Sequence, residues 1–281
     1  MPAPTLDALT SPTLKYLRER WWNDEFTTFV VDTLRPRPGN RILDVGSGEG
    51  EAEIHLGRRH VSQIRMFGVD LMIERVLVAR RETAAHNQHV RYATADACAL
   101  PFRDGVFDST FCVAVLQHVG DVESAVREFA RVTATGGRVI AVEPDNSARY
   151  LYSSARAGGQ AFEAAARFFA AVAAARGGAP DSAVGPRLAT LFARYGIEPL
   201  AVRLFPVSVS RLGAPSEEEW RGRRAAIEQA IDASPADAVR TLGRAYLDSL
   251  DEYASEAGRA GQGFVEIQNT MLFAAVGQKS E

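Results

Sequence analysis

The eight residues Leu43-Asp44-Val45-Gly46-Ser47-Gly48-Glu49-Gly50 constrain this chain more than any other stretch. Residues 42–45 read as a short buried strand, and the glycines turn it sharply into a helix beginning near Glu51. Three alternating glycines let the backbone approach a ligand that a Cβ would push away. Behind them, the helix N-terminus offers unpaired N–H groups. The pattern points to a nucleotide-like ligand at the first strand–helix turn.

A dinucleotide fingerprint needs Gly-x-Gly-x-x-Gly, its third glycine easing helix–strand packing. Counted from Gly46 and Gly48, that glycine would fall at position 51, which is Glu51. An acidic side chain there would face a charged pyrophosphate, which counts against a nicotinamide-dependent oxidoreductase. The chain carries Asp-x-Gly-x-Gly-x-Gly instead, with Asp44 still on the strand.

Met66-Phe67-Gly68-Val69-Asp70 is a second apolar run, ending in an acid that can accept both hydroxyls of a ribose. A third strand, Val90-Arg91-Tyr92-Ala93-Thr94-Ala95, has Asp96 and Ala97 just past its end. Leu100-Pro101-Phe102, Asp104-Gly105 and Phe107-Asp108 lead into an apolar fourth strand ending near Val113, followed by Leu116-Gln117-His118-Val119. Gly136-Gly137 then opens a fifth apolar run that closes on Glu143-Pro144.

The order and spacing of these signals over residues 40–145 resemble the class I S-adenosylmethionine-dependent methyltransferases. The glycine loop resembles motif I of that family. The stretch from Asp96 to Asp108, the Leu116-Gln117-His118-Val119 element and the Gly-Gly turn resemble its ubiquinone/menaquinone-biosynthesis-like group. The resemblance implies an α/β fold: a Rossmann-like, doubly wound, seven-stranded sheet, mostly parallel with an antiparallel last strand. It also implies S-adenosyl-L-methionine as cofactor and S-adenosyl-L-homocysteine as product. In that family the loop passes under a methionine tail, where no phosphate repels a carboxylate.

Carried onto this chain, the resemblance assigns Asp44 and the backbone of Gly46, Ser47, Gly48 and Gly50 to the methionine end. Asp70 takes the ribose hydroxyls, with Leu71 and Met72 beside it. Asp96 accepts from the adenine amino group next to the Ala97 N–H, and the backbone near Val113 meets the methionine ammonium. Met72 has two readings, a side chain on the adenine face or a core methionine.

The acceptor side is less determined. His118, just past the fourth strand, stands where an imidazole can take a proton as the methyl arrives; its competing reading is a helix cap or a packing residue. Glu143 either orients the substrate or bonds the backbone of the next loop. Tyr16, Trp21 and Trp22 suit an aromatic lid over a sulfonium. A plain core helix explains Trp21 equally, but two adjacent tryptophans are not expected to face one core. Gln117 and Tyr150 complete the expected acceptor set. Tyr152, Arg149 and Arg156 stand beside Tyr150, with a solvated helix face as the alternative for the arginines. His86 and His89 are spaced like a metal pair but follow a polar helix end with no third ligand nearby, so no metal is expected.

Composition narrows the class. The chain has 281 residues, enough for a sizeable core in one elaborated α/β domain. Lys plus Arg number 32 against 35 Asp plus Glu, so no basic excess marks a nucleic-acid footprint. Cys98 and Cys112 form no CxxC pair and read as buried thiols of a reducing compartment. No start segment has a signal peptide's apolar core, and the most apolar stretch, 161–175, is broken by Glu163 and Arg167. The expectation is a cytoplasmic protein, monomer or homodimer, without membrane insertion.

Three prolines among the first 12 residues suggest a mobile start. Alternating strands and helices up to Glu143 imply parallel pairing with crossovers. Beyond Pro144, helices are expected at 162–176 and from Pro186 to 195, a strand at 200–210, a charged helical stretch at 217–261 and a last strand at 264–277. The expected organisation is one domain over 1–281, with its core at 36–145, 197–210 and 263–278 and a helical cap from 13–35, 147–196 and 215–262. The reading is methyl transfer to a small or medium-sized, partly apolar acceptor at O, N or C. Its alternative is a protein that binds S-adenosylmethionine for a non-methylating or structural purpose.

Overall fold

The computed structural model describes residues 21–59, 64–175 and 183–281. In chain order it has α1 (Asp24–Leu34), β1 (Arg41–Val45), α2 (Glu51–Arg58), β2 (Arg65–Asp70), α3 (Ile73–Ala85), β3 (Val90–Thr94) and β4 (Phe107–Val113). A 3-10 turn (Leu116–His118) leads to α4 (Val122–Val132), β5 (Thr133–Ser153), α5 (Ala157–Ala175) and α6 (Val184–Arg194). The chain closes with β6 (Ile197–Leu212), α7 (Glu217–Asp232), α8 (Asp237–Ala260) and β7 (Val265–Lys279).

The seven strands form one sheet in the order β3-β2-β1-β4-β5-β7-β6. β1 pairs in parallel with β2 and β4, β2 with β3, and β4 with β5. The last strand runs against its neighbour. Ser280, past the end of β7, donates to Gly196, before the start of β6, and Gly213 after β6 donates to Phe264 before β7. The seven-stranded, mostly parallel α/β sheet with an antiparallel end is thus present as expected.

Two compact units emerge from the packing: Met1–Ser147 with Asp181–Val207 and Met271–Glu281, and Ala148–Pro180 with Ser208–Thr270. In the first, successive residues of a strand enter opposite cores, as the two-residue period demands. Leu43 and Val45, with Val139 and Ala141, join Phe107, Leu116, Phe129 and Phe192. Ile42, with Ile140 and Val142, joins Phe26, Phe29, Phe111 and Leu272. In the second unit, Phe168 of α5 and Leu250 and Tyr253 of α8 form the core. There α7 starts on a capping box between Ser216 and Glu219.

Two expectations are corrected. The fifth strand does not stop at Pro144. Residues 147–153, expected in a helical cap, continue β5, because Tyr150, Leu151 and Tyr152 are strand formers without helical spacing. Just past that end, the Ser154 N–H donates to the Val265 carbonyl. The charged helical stretch expected at 217–261 is present, divided into two helices because Pro235 cannot donate within a helix and pushes Ser234 out of helical geometry. Helices α1 and α6, placed in the cap by sequence, belong to the first unit, where Phe26, Val30, Leu188 and Phe192 are buried.

Candidate cofactor and active site

The parallel register brings the ends of β1 and β2 side by side, with Asp44 opposite Gly68 and Val45 opposite Val69. At that edge the N–H groups of Gly46 and Ser47 both donate to the Val69 carbonyl, at 2.7 and 2.9 Å. Gly46, Gly48 and Gly50 all have positive φ, at 78°, 56° and 88°. Two of them are also sterically required. A Cβ on Gly46 would fall 2.3 Å from Val115 Cγ2, and one on Gly50 would fall 2.9 Å from Thr83 Cγ2.

Asp70 is the clamp of this loop. Its Oδ2 accepts from the Gly48 N–H at 3.0 Å and its Oδ1 from the Met72 N–H at 2.9 Å. Each carboxylate oxygen retains a second lone pair, so the locked group can still accept two further donors. Leu71 is 51% exposed and Met72 half-buried outside the buried clusters, which removes the core reading of Met72. Asp96 is exposed beyond β3, its Oδ1 accepting from the Cys98 N–H at 2.8 Å, and the half-buried Ala97 packs on the first core. Cys98 is only half-buried, unlike Cys112, and both are free thiols.

Beneath the loop lies a second set of polar groups. Asp44 is 3% exposed and Glu53, on α2, is 2% exposed. Burial lifts the Asp44 carboxyl well above the usual carboxylate range, and the charges of Glu53 and Asp70 add to the rise. Burial likewise pushes Glu53 to about 8. Ser47 Oγ, both Glu53 oxygens and the Tyr92 hydroxyl are polar atoms buried together there, and the Tyr92 hydroxyl bonds toward the Glu53 carboxyl. A cluster of buried polar atoms around one backbone loop is common where a ligand or water completes the bonding.

The turn after β4 is built differently. Ala114 sits at φ 57°, a left-handed conformation that costs a non-glycine residue about 1–2 kcal/mol. It directs Val115 onto the glycine loop, against Gly46. Glu143, fully buried, accepts from the N–H groups of Val115 and Leu116 at 2.7 Å each and from Gln117 at 3.3 Å. Burial raises this carboxyl to about 7, while the three donors pull it down. Glu143 was expected as a catalytic or loop-bonding group; its oxygens go to the loop, and it is a positioning residue. His118 ends the turn and is exposed; Gln117 Oε1 accepts from Asn146 Nδ2 at 2.8 Å. Val113, half-buried, packs on the second core.

The aromatic lid is the clearest miss. Trp22 is buried, stacked on His55 at 5.0–5.4 Å from its ring neighbours, and the half-buried Trp21 packs on the same core. The chain bends at Asn23, which donates to the Trp21 carbonyl and caps α1, so adjacent tryptophans can both turn inward. Tyr16 lies outside the described residues. Tyr150, 60% exposed, belongs to the second compact unit. A groove of about 630 Å³, lined by Phe29, Arg138, Leu200 and Val276 among others, borders none of the expected site residues. Among the described residues no three metal-type ligands gather, and no helix is long and apolar enough to cross a membrane.

Sequence reading passed over Glu53, Tyr92 and Val115. For Glu53 a signal existed: it shares the buried face of α2 with Ala52 and Leu56, where an acid is out of place.

Residues 43–141 match the family described as a methyltransferase domain. The chain carries a class I, S-adenosylmethionine-dependent methyltransferase domain. This domain is 35% identical over 114 residues to demethylmenaquinone methyltransferase of Thermus thermophilus, covering 41% of this chain and 51% of that protein. The chain therefore spans about half the length of that relative. The methyltransferase fold is also similar to the YcgJ protein of Bacillus subtilis, with TM-score 0.55, 20% identity, and coverage of 92% of this chain and 100% of that one. A third likeness is to Haemonchus contortus phosphoethanolamine N-methyltransferase 2 in complex with phosphomonomethylethanolamine and S-adenosylhomocysteine. There the TM-score is 0.54 at 19% identity, covering 98% of this chain and 59% of that one. At such identities the structural likeness establishes the fold alone.

Proposed function

We propose that the protein transfers a methyl group from S-adenosylmethionine to a small or medium-sized, partly apolar organic acceptor. The observation that carries this reading is the Asp70 clamp. A carboxylate locked by Gly48 and Met72 at the mouth of the glycine loop keeps two acceptor sites for vicinal hydroxyls. When bound, the cofactor supplies an electrophilic methyl on a sulfonium whose departure leaves a neutral thioether.

This chain's residues bind and align. Asp44 and the loop backbone face the amino-acid end, while Asp96 and Ala97 stand beyond β3 for the base. The exposed Leu71 and the half-buried Met72 offer apolar cover for the ring. Glu143 fixes the turn that carries Gln117 and His118, so that alignment depends on a rigid element. His118 takes the acceptor's proton where the nucleophile is a hydroxyl or amine. No metal enters the reading.

Calorimetric titration with S-adenosylhomocysteine, with NADH in a parallel cell, tests the cofactor. Micromolar binding of the first alone is the expected result, and binding of NADH alone would overturn it. An acceptor screen with methyl-labelled donor follows, and formation of S-adenosylhomocysteine separates transfer from binding without turnover. With an acceptor in hand, His118→Gln should lower turnover about 100-fold while leaving cofactor affinity within about twofold. A wild-type rate in that variant removes His118 from the chemistry.

A further inference from the structure

Gly68 on β2 is the register partner of Asp44. The space its missing side chain leaves is filled by two others. A Cβ there would fall 2.4 Å from Tyr92 Cε1 and 2.9 Å from Glu53 Oε1. Glu53 therefore reaches from α2 across the backbone of β2, into the ground beneath the glycine loop. Tyr92 reaches the same ground from β3, its hydroxyl 3.0 Å from a Cβ built on Gly50. Both Glu53 oxygens are shut off from solvent, and the Tyr92 hydroxyl is the side-chain group that bonds toward this carboxyl.

The groups around Glu53 can be named element by element. Asp44 faces it from β1, with Asp70 on β2 acting in turn on Asp44, and Tyr92 faces it from β3. From α3, Arg75 lies at the Gly48 turn, its Nη1 3.4 Å from where a Cβ would sit, and Thr83 spends its hydroxyl proton on the Ala79 carbonyl. Cys112 on β4 senses Asp44 but is a neutral thiol, its own ionisation pushed well up by burial. On α2 itself, His55 turns away to stack on Trp22. Two buried carboxyls meeting in this setting carry a cost when both are charged.

We propose that Asp44 and Glu53 hold one proton between them in the ligand-free protein and release it to solvent when the ammonium end of the cofactor settles on the glycine loop. Glu53 is then a positioning residue that couples cofactor affinity to pH. The inference rests on the cofactor reading above. The free protein binds the proton more tightly than the complex does, so affinity rises with pH, by at most about tenfold per pH unit for one proton. Burial of Glu53, which places its titration near 8, sets the window in which this happens.

The test is titration of the full chain with S-adenosylhomocysteine in buffers of different ionisation enthalpy, over about pH 6 to 9, which counts protons released per ligand bound. Wild type should release about 0.5–1 proton near neutral pH. Glu53→Gln keeps a hydrogen-bond donor toward Asp44 but has no proton to lose. It should bind with the release abolished, leaving only the ligand's own ionisation. A purely structural role for Glu53 would move affinity or folding without moving the proton count. Equal release in both proteins, or none in wild type, overturns the proposal, and the wild-type count decides the second case even where the variant does not fold. Absence of binding at every pH is a different outcome, since it defeats the cofactor reading itself and this inference with it.

Discussion

The turn after β4 and the loop after β1 are each organised around a buried glutamate, and the two are treated in opposite ways. Glu143 receives three backbone N–H groups, two on one oxygen and one on the other. Glu53 is equally hidden but meets the Tyr92 hydroxyl and a second acid, Asp44, where Glu143 meets a run of three N–H groups. A satisfied buried carboxylate stiffens the segment it touches. One facing a second acid carries a standing cost, which falls when it is protonated or when something binds nearby. The first region is a fixed platform for Gln117 and His118, whereas the second is poised to change with ligand and proton.

The largest expected effect breaks the platform. Glu143→Ala leaves three N–H groups buried without an acceptor and should cost about 3 kcal/mol or more in denaturant unfolding. Glu143→Gln, which keeps one acceptor oxygen, should cost less. If both variants unfold like wild type, Glu143 is not the keystone of the turn. Next comes the contact between the two regions. Gly46→Ala drives a methyl into Val115 at a positive φ and should cost about 2–4 kcal/mol, the sum of overpacking and left-handed strain. Adding Val115→Ala should restore the overpacking part alone. Full recovery would mean that backbone strain at Gly46 is negligible.

On the loop side, Asp70→Ala should weaken S-adenosylhomocysteine by about 1–3 kcal/mol, measured calorimetrically, with a smaller loss of stability. Unchanged affinity would move the ribose site elsewhere. Smallest per unit step is the pH dependence of stability. Glu53 near 8 and Glu143 near 7 both lie above the ordinary 4.5. Between these values the folded chain keeps protons that the unfolded chain has lost. Stability from these groups is therefore complete below about 4.5 and declines as pH rises through 7 to 8, by no more than about 1.4 kcal/mol per unit per group. Thermal melts of the ligand-free protein should show Tm falling from about pH 5 to pH 8, with a shallower fall in Glu53→Gln. Parallel slopes in the two proteins would erase the contrast between the glutamates.

Much of the loop side was legible in the chain. A glycine run after a short apolar strand, with acids at 44, 70 and 96, can be read without coordinates because each signal is local. The acceptor side was legible only in part. Glu143 could be placed at a strand end, but whether it met substrate or backbone depended on a turn 26–28 residues away in sequence. Trp22 misled because one bend at Asn23 turned both tryptophans into one core. Strand β5 outran its forecast because Pro144 in a strand looks like an ending, while the β-forming residues at 150–152 carry it on.

The linear chain by itself determined the kind of sheet, the position of the nucleotide-type loop and the acids at its rim, because periodicity and glycine stereochemistry act over a few residues. Only the tertiary structure decided which buried acids are satisfied, since hydrogen-bond partners and desolvation come from segments that are neighbours in space alone. That is why Glu53, ordinary in sequence, becomes the most consequential side chain beneath the loop. Glu143, conspicuous in sequence, becomes a strut.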